Sequence, residues 1–190
     1  MIIGISGKLG SGKDTVANII RSLDSSFTNK AFAYKLKQIV SVLASCPIED
    51  TMTQEGKNTF VEGFNLTIGE MLQKVGTNAL RDHFNENVWI NALLIELKKA
   101  EGNYIITDCR FKNEAKAIKD AGGILIRVER PVNPIAEKSN RDLSHASEVD
   151  LDDYEGFDHV IINDSDLKSL QDKIVDIFYM KIIKEHKIEL

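Results

Sequence analysis

The run Gly7-Lys8-Leu9-Gly10-Ser11-Gly12-Lys13 has the G-x-x-x-x-G-K spacing of a phosphate-binding loop. Glycines at these places let backbone N–H groups turn toward phosphate oxygens. A helix opening directly behind them adds the positive end of its dipole. Lys13 would stand on the β- and γ-phosphates as a compact charge. Asp14 takes the place where a Ser or Thr usually ligates Mg²⁺, and Thr15 comes one later. A carboxylate there can hold the ion directly or through water, or it can serve the first helical turn as an N-terminal charge. The loop predicts a nucleoside triphosphate site and leaves open whether phosphate is transferred.

A second cluster follows an apolar run. Ile105-Ile106-Thr107-Asp108 reads as a strand ending in a carboxylate, the placement of an acid near Mg²⁺. Arg110 comes two residues later and could grip an acceptor phosphate with two parallel N–H bonds. Glu114, four residues on, could instead form a local ion pair or charge the start of a helix. Cys109 has no evident His partner and reads as packing rather than a nucleophile. Gln73, Thr77, Asn78 and Arg81 place polar groups along an otherwise apolar helical stretch. Gly76 in its middle suggests close approach by a ligand or another element. Trp89, the single tryptophan, could stack on a base, although core packing is the commoner use. Arg127, Arg130, Lys138 and Arg141 flank or sit in residues 131–154, and basic residues in a closing segment could neutralise a transferring phosphoryl group. Alternatively they answer the carboxylates of Asp142, Glu148, Asp150, Asp152 and Asp153. His145 reads as a local hydrogen-bonding residue.

These groups need a scaffold, and the pattern supplies one. Met1–Ser6, Lys30–Tyr34, Asn103–Thr107, Gly123–Val128 and His159–Ile162 read as strands. Helical spacing covers Lys13–Leu23, Leu36–Ala44, Thr67–Phe84, Val88–Ala100, Asn113–Ala121 and Ser165–Ile183. Alternating strands and helices predict an α/β fold, a parallel sheet with helices on both faces and ligands at the strands' carboxyl ends. Residues 45–66 and 131–154 break the alternation and read as mobile additions to the core. At 190 residues and 43% hydrophobic, the chain suits one domain over 1–190. A net charge of −5 gives no field favouring nucleic acid, and no apolar run approaches a membrane span. Met1–Ile5 lacks the basic flank of a signal peptide, and two cysteines build no disulfide or zinc framework. The expectation is a soluble, cytoplasmic protein without a nucleic-acid or membrane partner. The oligomeric state stays open, a homodimer among the options.

With these residues in place, the chain resembles the phage-type deoxynucleoside monophosphate kinase family of the P-loop kinases. The likeness runs through Ser6-Gly7, Ser11-Gly12-Lys13-Asp14-Thr15, Leu72-Gln73, Gly76-Thr77 and Trp89. It continues in Thr107-Asp108-Cys109-Arg110-Phe111-Lys112-Asn113-Glu114, Gly122-Gly123, Arg127-Val128, Arg130, Ser144-His145-Ala146-Ser147-Glu148 and Ile161-Ile162-Asn163. The resemblance implies a three-layer P-loop kinase fold in which residues 45–100 carry the monophosphate-binding insertion and helices and residues 131–154 the lid. It implies ATP-dependent, Mg²⁺-assisted phosphorylation of a deoxynucleoside monophosphate, in a viral setting. ATP phosphates would fall to Gly10, Ser11, Gly12, Lys13, Asp14, Thr15 and Val16, and the acceptor to Tyr34, Lys35, Gly76, Trp89, Asp108, Arg110 and Glu114. Lys13, Arg110 and Arg141 would carry the transfer, with Asp14 and Asp108 at the metal.

The chain departs from the family pattern in three places. Leu9-Gly10 stands where basic residues are common, and Thr67-Ile68-Gly69 where Thr-Pro-Arg is common, which makes Arg81 a candidate replacement on the acceptor. Tyr34-Lys35-Leu36-Lys37 replaces a common Asp-Pro-Leu-Lys. Two alternatives stay open on these residues. One is the same fold acting on another phosphorylated acceptor, phosphomevalonate or dephospho-coenzyme A. The other is a nucleotide-binding switch, against which stand the absence of an N-K-x-D motif and the supply of arginines.

Overall fold

The computed structural model describes residues 1–133 and 146–179. In chain order the elements are β1 (Ile2–Ser6), α1 (Lys13–Leu23), β2 (Phe27–Lys30), α2 (Tyr34–Ala44), a 3₁₀ turn at Ile48–Thr51 and α3 (Gln54–Lys57). A hairpin of β3 (Phe60–Val61) and β4 (Leu66–Thr67) follows, then α4 (Ile68–Gln73), a π-helical segment Lys74–Arg81 and α5 (Val88–Lys99). The chain continues with β5 (Asn103–Ile106), α6 (Lys112–Asp120), β6 (Ile124–Glu129), α7 (Ala146–Val149), β7 (His159–Ile162) and α8 (Leu167–Ile177). They fall into two compact units, one of Met1–Ala31 with Glu101–Leu190 and one of Phe32–Ala100.

The first unit holds a five-stranded sheet of order β2-β5-β1-β6-β7, and every pairing in it is parallel. The physical cause lies in β1, whose alternate residues serve opposite faces. Ile3 and Ile5 are fully buried in one cluster with Val16 and Ile20 of α1 and Leu170 and Ile174 of α8. Gly4 faces the other way: a Cβ there would sit 2.5 Å from Ile118 Cδ1 of α6 and 2.8 Å from Leu125 Cδ2. Helices therefore cover both faces, as a parallel sheet requires. The sheet edge β2 differs from the expected Lys30–Tyr34. Phe27 is the anchor, buried and edge-on to Phe178 with ring centroids 6.0 Å apart, while Thr28 and Asn29 remain exposed. A strand with one buried apolar residue has little hydropathy signature, and the more apolar Ala31-Phe32-Ala33-Tyr34 only leads into α2.

In the second unit Val40, Ile68 and Met71 form the buried centre, with Leu36, Leu72 and Val75 packed against it. The reciprocal cap of Thr67 and Glu70 starts α4: Thr67 Oγ1 accepts the Glu70 N–H at 3.2 Å and the Glu70 carboxylate accepts the Thr67 N–H at 2.7 Å. The expected regular helix over Thr67–Phe84 ends early, at Gln73, and widens into the π segment. A Cβ on Gly76 would lie 2.5 Å from Leu36 Cδ2, so backbone and side chain are pressed together where the helix widens. Gly76, Thr77 and Asn78 are weak helix formers, which lowers the resistance to that distortion.

Candidate active site

Four strand ends of the first unit build the site, because every strand points the same way. The phosphate loop leaves β1 after Ser6, Asp108 and Arg110 follow β5, Arg130 and Asn133 follow β6, and Asn163 follows β7. Gly12 caps α1 in the left-handed region (φ 104°), and a Cβ there would meet Asn163 Nδ2 at 2.6 Å. Glycine is thus required twice over, by dihedral and by space. Three successive loop carbonyls are held from outside. Asn133 Nδ2 donates to Leu9 O at 2.6 Å, Arg130 Nη1 reaches Gly10 O at 3.4 Å, and Asn163 Nδ2 donates to Ser11 O at 2.9 Å. Fixing carbonyls this way leaves the loop's N–H side preorganised for an anion.

Lys13 Nζ donates to Lys8 O at 2.9 Å, so the ammonium already folds back across the loop. Burial, followed by the nearby Arg110 and to a smaller extent Arg127, lowers its pKa to about 8, against the pull of Asp14 and Glu148. The loop lysine and Arg110 therefore share one electrostatic site. Ser11 Oγ is buried without a hydrogen-bond partner among the described residues. Asp14 is exposed in the first turn of α1, and Thr15 is half-buried. Val16 belongs to the core, with its side chain fully buried and its N–H bonded to Gly12 O at 3.0 Å.

Arg110 is half-buried and donates from Nη1 to Glu148 Oε1 at 2.6 Å. Glu114 is 2% exposed, and its Oε2 accepts the Arg110 and Phe111 N–H groups at 2.8 and 3.2 Å, fixing the turn that carries Arg110. Arg127 lies in β6, within the strand expected over Gly123–Val128. It is 8% exposed and donates to Ser6 Oγ at 3.1 Å and to Asp152 Oδ1 at 3.0 Å. Asp152 also pairs with Lys8 Nζ at 2.7 Å. Asp108 is half-buried just beyond β5. Cys109 is buried, and burial first, then Glu114 and Asp108, push its thiol well above its usual range, which suits packing. Lys138, Arg141 and His145 lie outside the described residues, as does half of the expected lid.

The other expected acceptor residues belong to the second unit. Trp89 is 4% exposed and its Nε1 donates to Gly76 O at 3.1 Å, so these two are partners in packing. Tyr34 is exposed at the start of α2, and Lys35 pairs with Glu96 at 3.0 Å. Arg81 is half-buried at the end of the π segment.

A family model described as deoxynucleotide monophosphate kinase matches residues 46–174. The chain belongs to the deoxynucleotide monophosphate kinase family. The kinase is also 34% identical over 200 residues, 96% of its own chain and 94% of the relative, to a protein of Acanthamoeba polyphaga mimivirus described as a deoxynucleotide monophosphate kinase. In fold it is similar to shikimate kinase from Aquifex aeolicus, at 18% identity, TM-score 0.55, and coverage of 96% and 99% of the two chains. A dephospho-CoA kinase from Campylobacter jejuni gives 15% identity, TM-score 0.53, and coverage of 97% and 98%. Both likenesses show the P-loop kinase fold expected from the sequence.

Sequence reading alone misses three residues of this candidate site. Glu148 is visible there only as one acid among many, although it closes the Ser144–Glu148 piece of the family likeness. Asn163 ends another such piece, and Asn133 has no sequence signal. Among the described residues no helix is long and apolar enough to cross a membrane.

Proposed function

We propose that this family member transfers the γ-phosphoryl group of ATP to the phosphate of a deoxynucleoside monophosphate, with Lys13 on the donor and Arg110 on the acceptor. The observation that carries the reading is the bridge between Arg110 and the phosphate loop: Glu148 accepts from Arg110 Nη1 at 2.6 Å and from the Leu9 N–H at 3.2 Å, and so ties the turn after β5 to the loop that carries Lys13. The charge of Arg110 also helps to lower the Lys13 pKa, and a phosphate bound by both groups would offset that repulsion. The Ser11 hydroxyl, buried without a partner among the described residues, supports a loop built for an anion. Transfer would rest on alignment and charge neutralisation, with no covalent intermediate.

The donor set suits Mg²⁺. Asp14 and Asp108 offer hard oxygens, and the described residues contain no group of three or more His, Cys, Asp or Glu able to hold a metal by themselves. Mg²⁺ commonly takes one or two carboxylates and completes its shell with phosphate and water. Asp14 and Asp108 would hold the ion, which when bound supplies charge neutralisation at the phosphates.

A coupled ADP-release assay with ATP, Mg²⁺ and each deoxynucleoside monophosphate beside its ribose counterpart tests the reading. Stimulation by at least one deoxynucleotide is expected. Stimulation only by dephospho-coenzyme A or phosphomevalonate, or by nothing in ATP-binding protein, would overturn it.

ATP binding should also depend on pH through Lys13. Below its pKa of about 8 the free chain already carries the ammonium, and binding takes up no proton. Above it the free amine is neutral, and the phosphate oxyanions draw a proton back. The Kd for ATP should then rise by up to about tenfold per pH unit. Titration calorimetry from about pH 7 to about pH 9.5, in buffers of different ionisation heat, reads both the Kd and the proton uptake. A flat Kd without proton uptake would overturn the lowered pKa of Lys13.

A further inference from the structure

The carboxylate of Glu148 is 4% exposed and works at both oxygens. Oε1 accepts Arg110 Nη1 at 2.6 Å, and Oε2 accepts the backbone N–H of Leu9, inside the phosphate loop, at 3.2 Å. The chain around it is fastened to the same two elements. Asp150 Oδ2 accepts the Lys112 N–H at 2.7 Å, two residues past Arg110, while Asp152 takes Lys8 of the loop at 2.7 Å. A buried carboxylate is tolerable only when its lone pairs are met by donors, and here donors from two separate elements, the phosphate loop and the turn after β5, meet on one carboxylate.

We propose that Glu148 is a positioning residue that sets the spacing between Arg110 and the phosphate loop, and so between acceptor and donor phosphates. This rests on reading Arg110 as the acceptor-phosphate arginine. One carboxylate held by the loop grips one edge of the guanidinium, and the remaining N–H donors of that planar group face the acceptor in a fixed plane. Phosphoryl transfer depends on in-line alignment, where a misplacement of about 1 Å costs about a hundredfold in rate.

The bridge needs two acceptor oxygens at this reach. Glutamine offers one acceptor, and its NH₂ opposes a donor whichever way it turns. Aspartate keeps two acceptors but falls short by one C–C bond, ~1.5 Å.

The test is a double-mutant cycle of Glu148→Gln and Glu148→Asp with Arg110→Ala, reading kcat, KM for the monophosphate, Kd for ATP, and melting. Glu148→Gln should lower kcat by about 10- to 100-fold with the Kd for ATP within about threefold. In the Arg110→Ala background the same substitution should cost nothing further, because the residue it positions has gone. The proposal is overturned if Glu148→Gln keeps kcat within about twofold, if its loss adds in full to that of Arg110→Ala, or if ATP binding is lost with it. If Glu148→Gln shows no folded transition, Glu148→Asp carries the same cycle. Should Arg110→Ala itself leave kcat intact, the reading of Arg110 fails. A loss in Arg110→Ala with none at Glu148 overturns the positioning role alone.

Discussion

Lys13→Ala should lower kcat/KM for ATP by about a thousandfold, or ~4 kcal/mol of transition-state stabilisation. Three features of the free protein set the size of that effect. The ammonium is already anchored on Lys8 O at 2.9 Å, so little ordering is left for the moment of reaction. Its pKa is lowered to about 8 chiefly by burial, and charge attraction between the ammonium and phosphate is stronger in such a desolvated place than in water. Alanine leaves no cation of the loop in its place, because Lys8 is committed to Asp152 at 2.7 Å. Initial rates over a range of ATP concentrations measure the loss. Since Lys13 meets donor phosphate in both ground and transition state, both KM and kcat should suffer. A variant within about tenfold of the unsubstituted protein would refute the assignment.

Arg110→Ala should spare ATP binding and cut kcat by about a hundredfold or more, with a raised KM for the monophosphate. The separation follows from the fold: Arg110 follows β5, whereas the loop follows β1 and keeps its own braces on Asn133 and Asn163. Glu114 fixes the turn through the Arg110 and Phe111 N–H groups, so truncating the side chain leaves its backbone in place. The cost is larger than a lost contact, since Glu148 is then a buried carboxylate without its 2.6 Å partner. Arg110→Lys should restore little, because an ammonium cannot pair with a carboxylate on one edge and a phosphate on the other in one plane. Calorimetry for ATP and a rate assay for the monophosphate separate the two effects. Loss of ATP affinity equal to the loss of rate would place Arg110 on the donor instead.

What the sequence by itself determined was local or periodic. The loop from Gly7 to Lys13 is contiguous, so its spacing alone carries its chemistry. The faces of β1 and α1 repeat at periods of two and 3.6, so the order of residue types is enough to tell which side of each is buried. Family membership is legible for the same reason, through short runs such as Gly12-Lys13-Asp14-Thr15 and Asp108–Glu114. Tertiary structure decided whatever depends on partners distant in the chain. It moved the edge strand to Phe27–Lys30, because pairing with Asn103–Ile106 and burial of one phenylalanine outweighed the more apolar run behind it. It turned Gly76 and Trp89 into a packing pair, since an indole N–H buried in the second unit must find an acceptor. It brought Glu148 to Leu9 and Arg110, 139 and 38 residues away along the chain. One glutamate among several looks like surface charge in a sequence, and only burial makes its two oxygens consequential, because a desolvated carboxylate must have its donors.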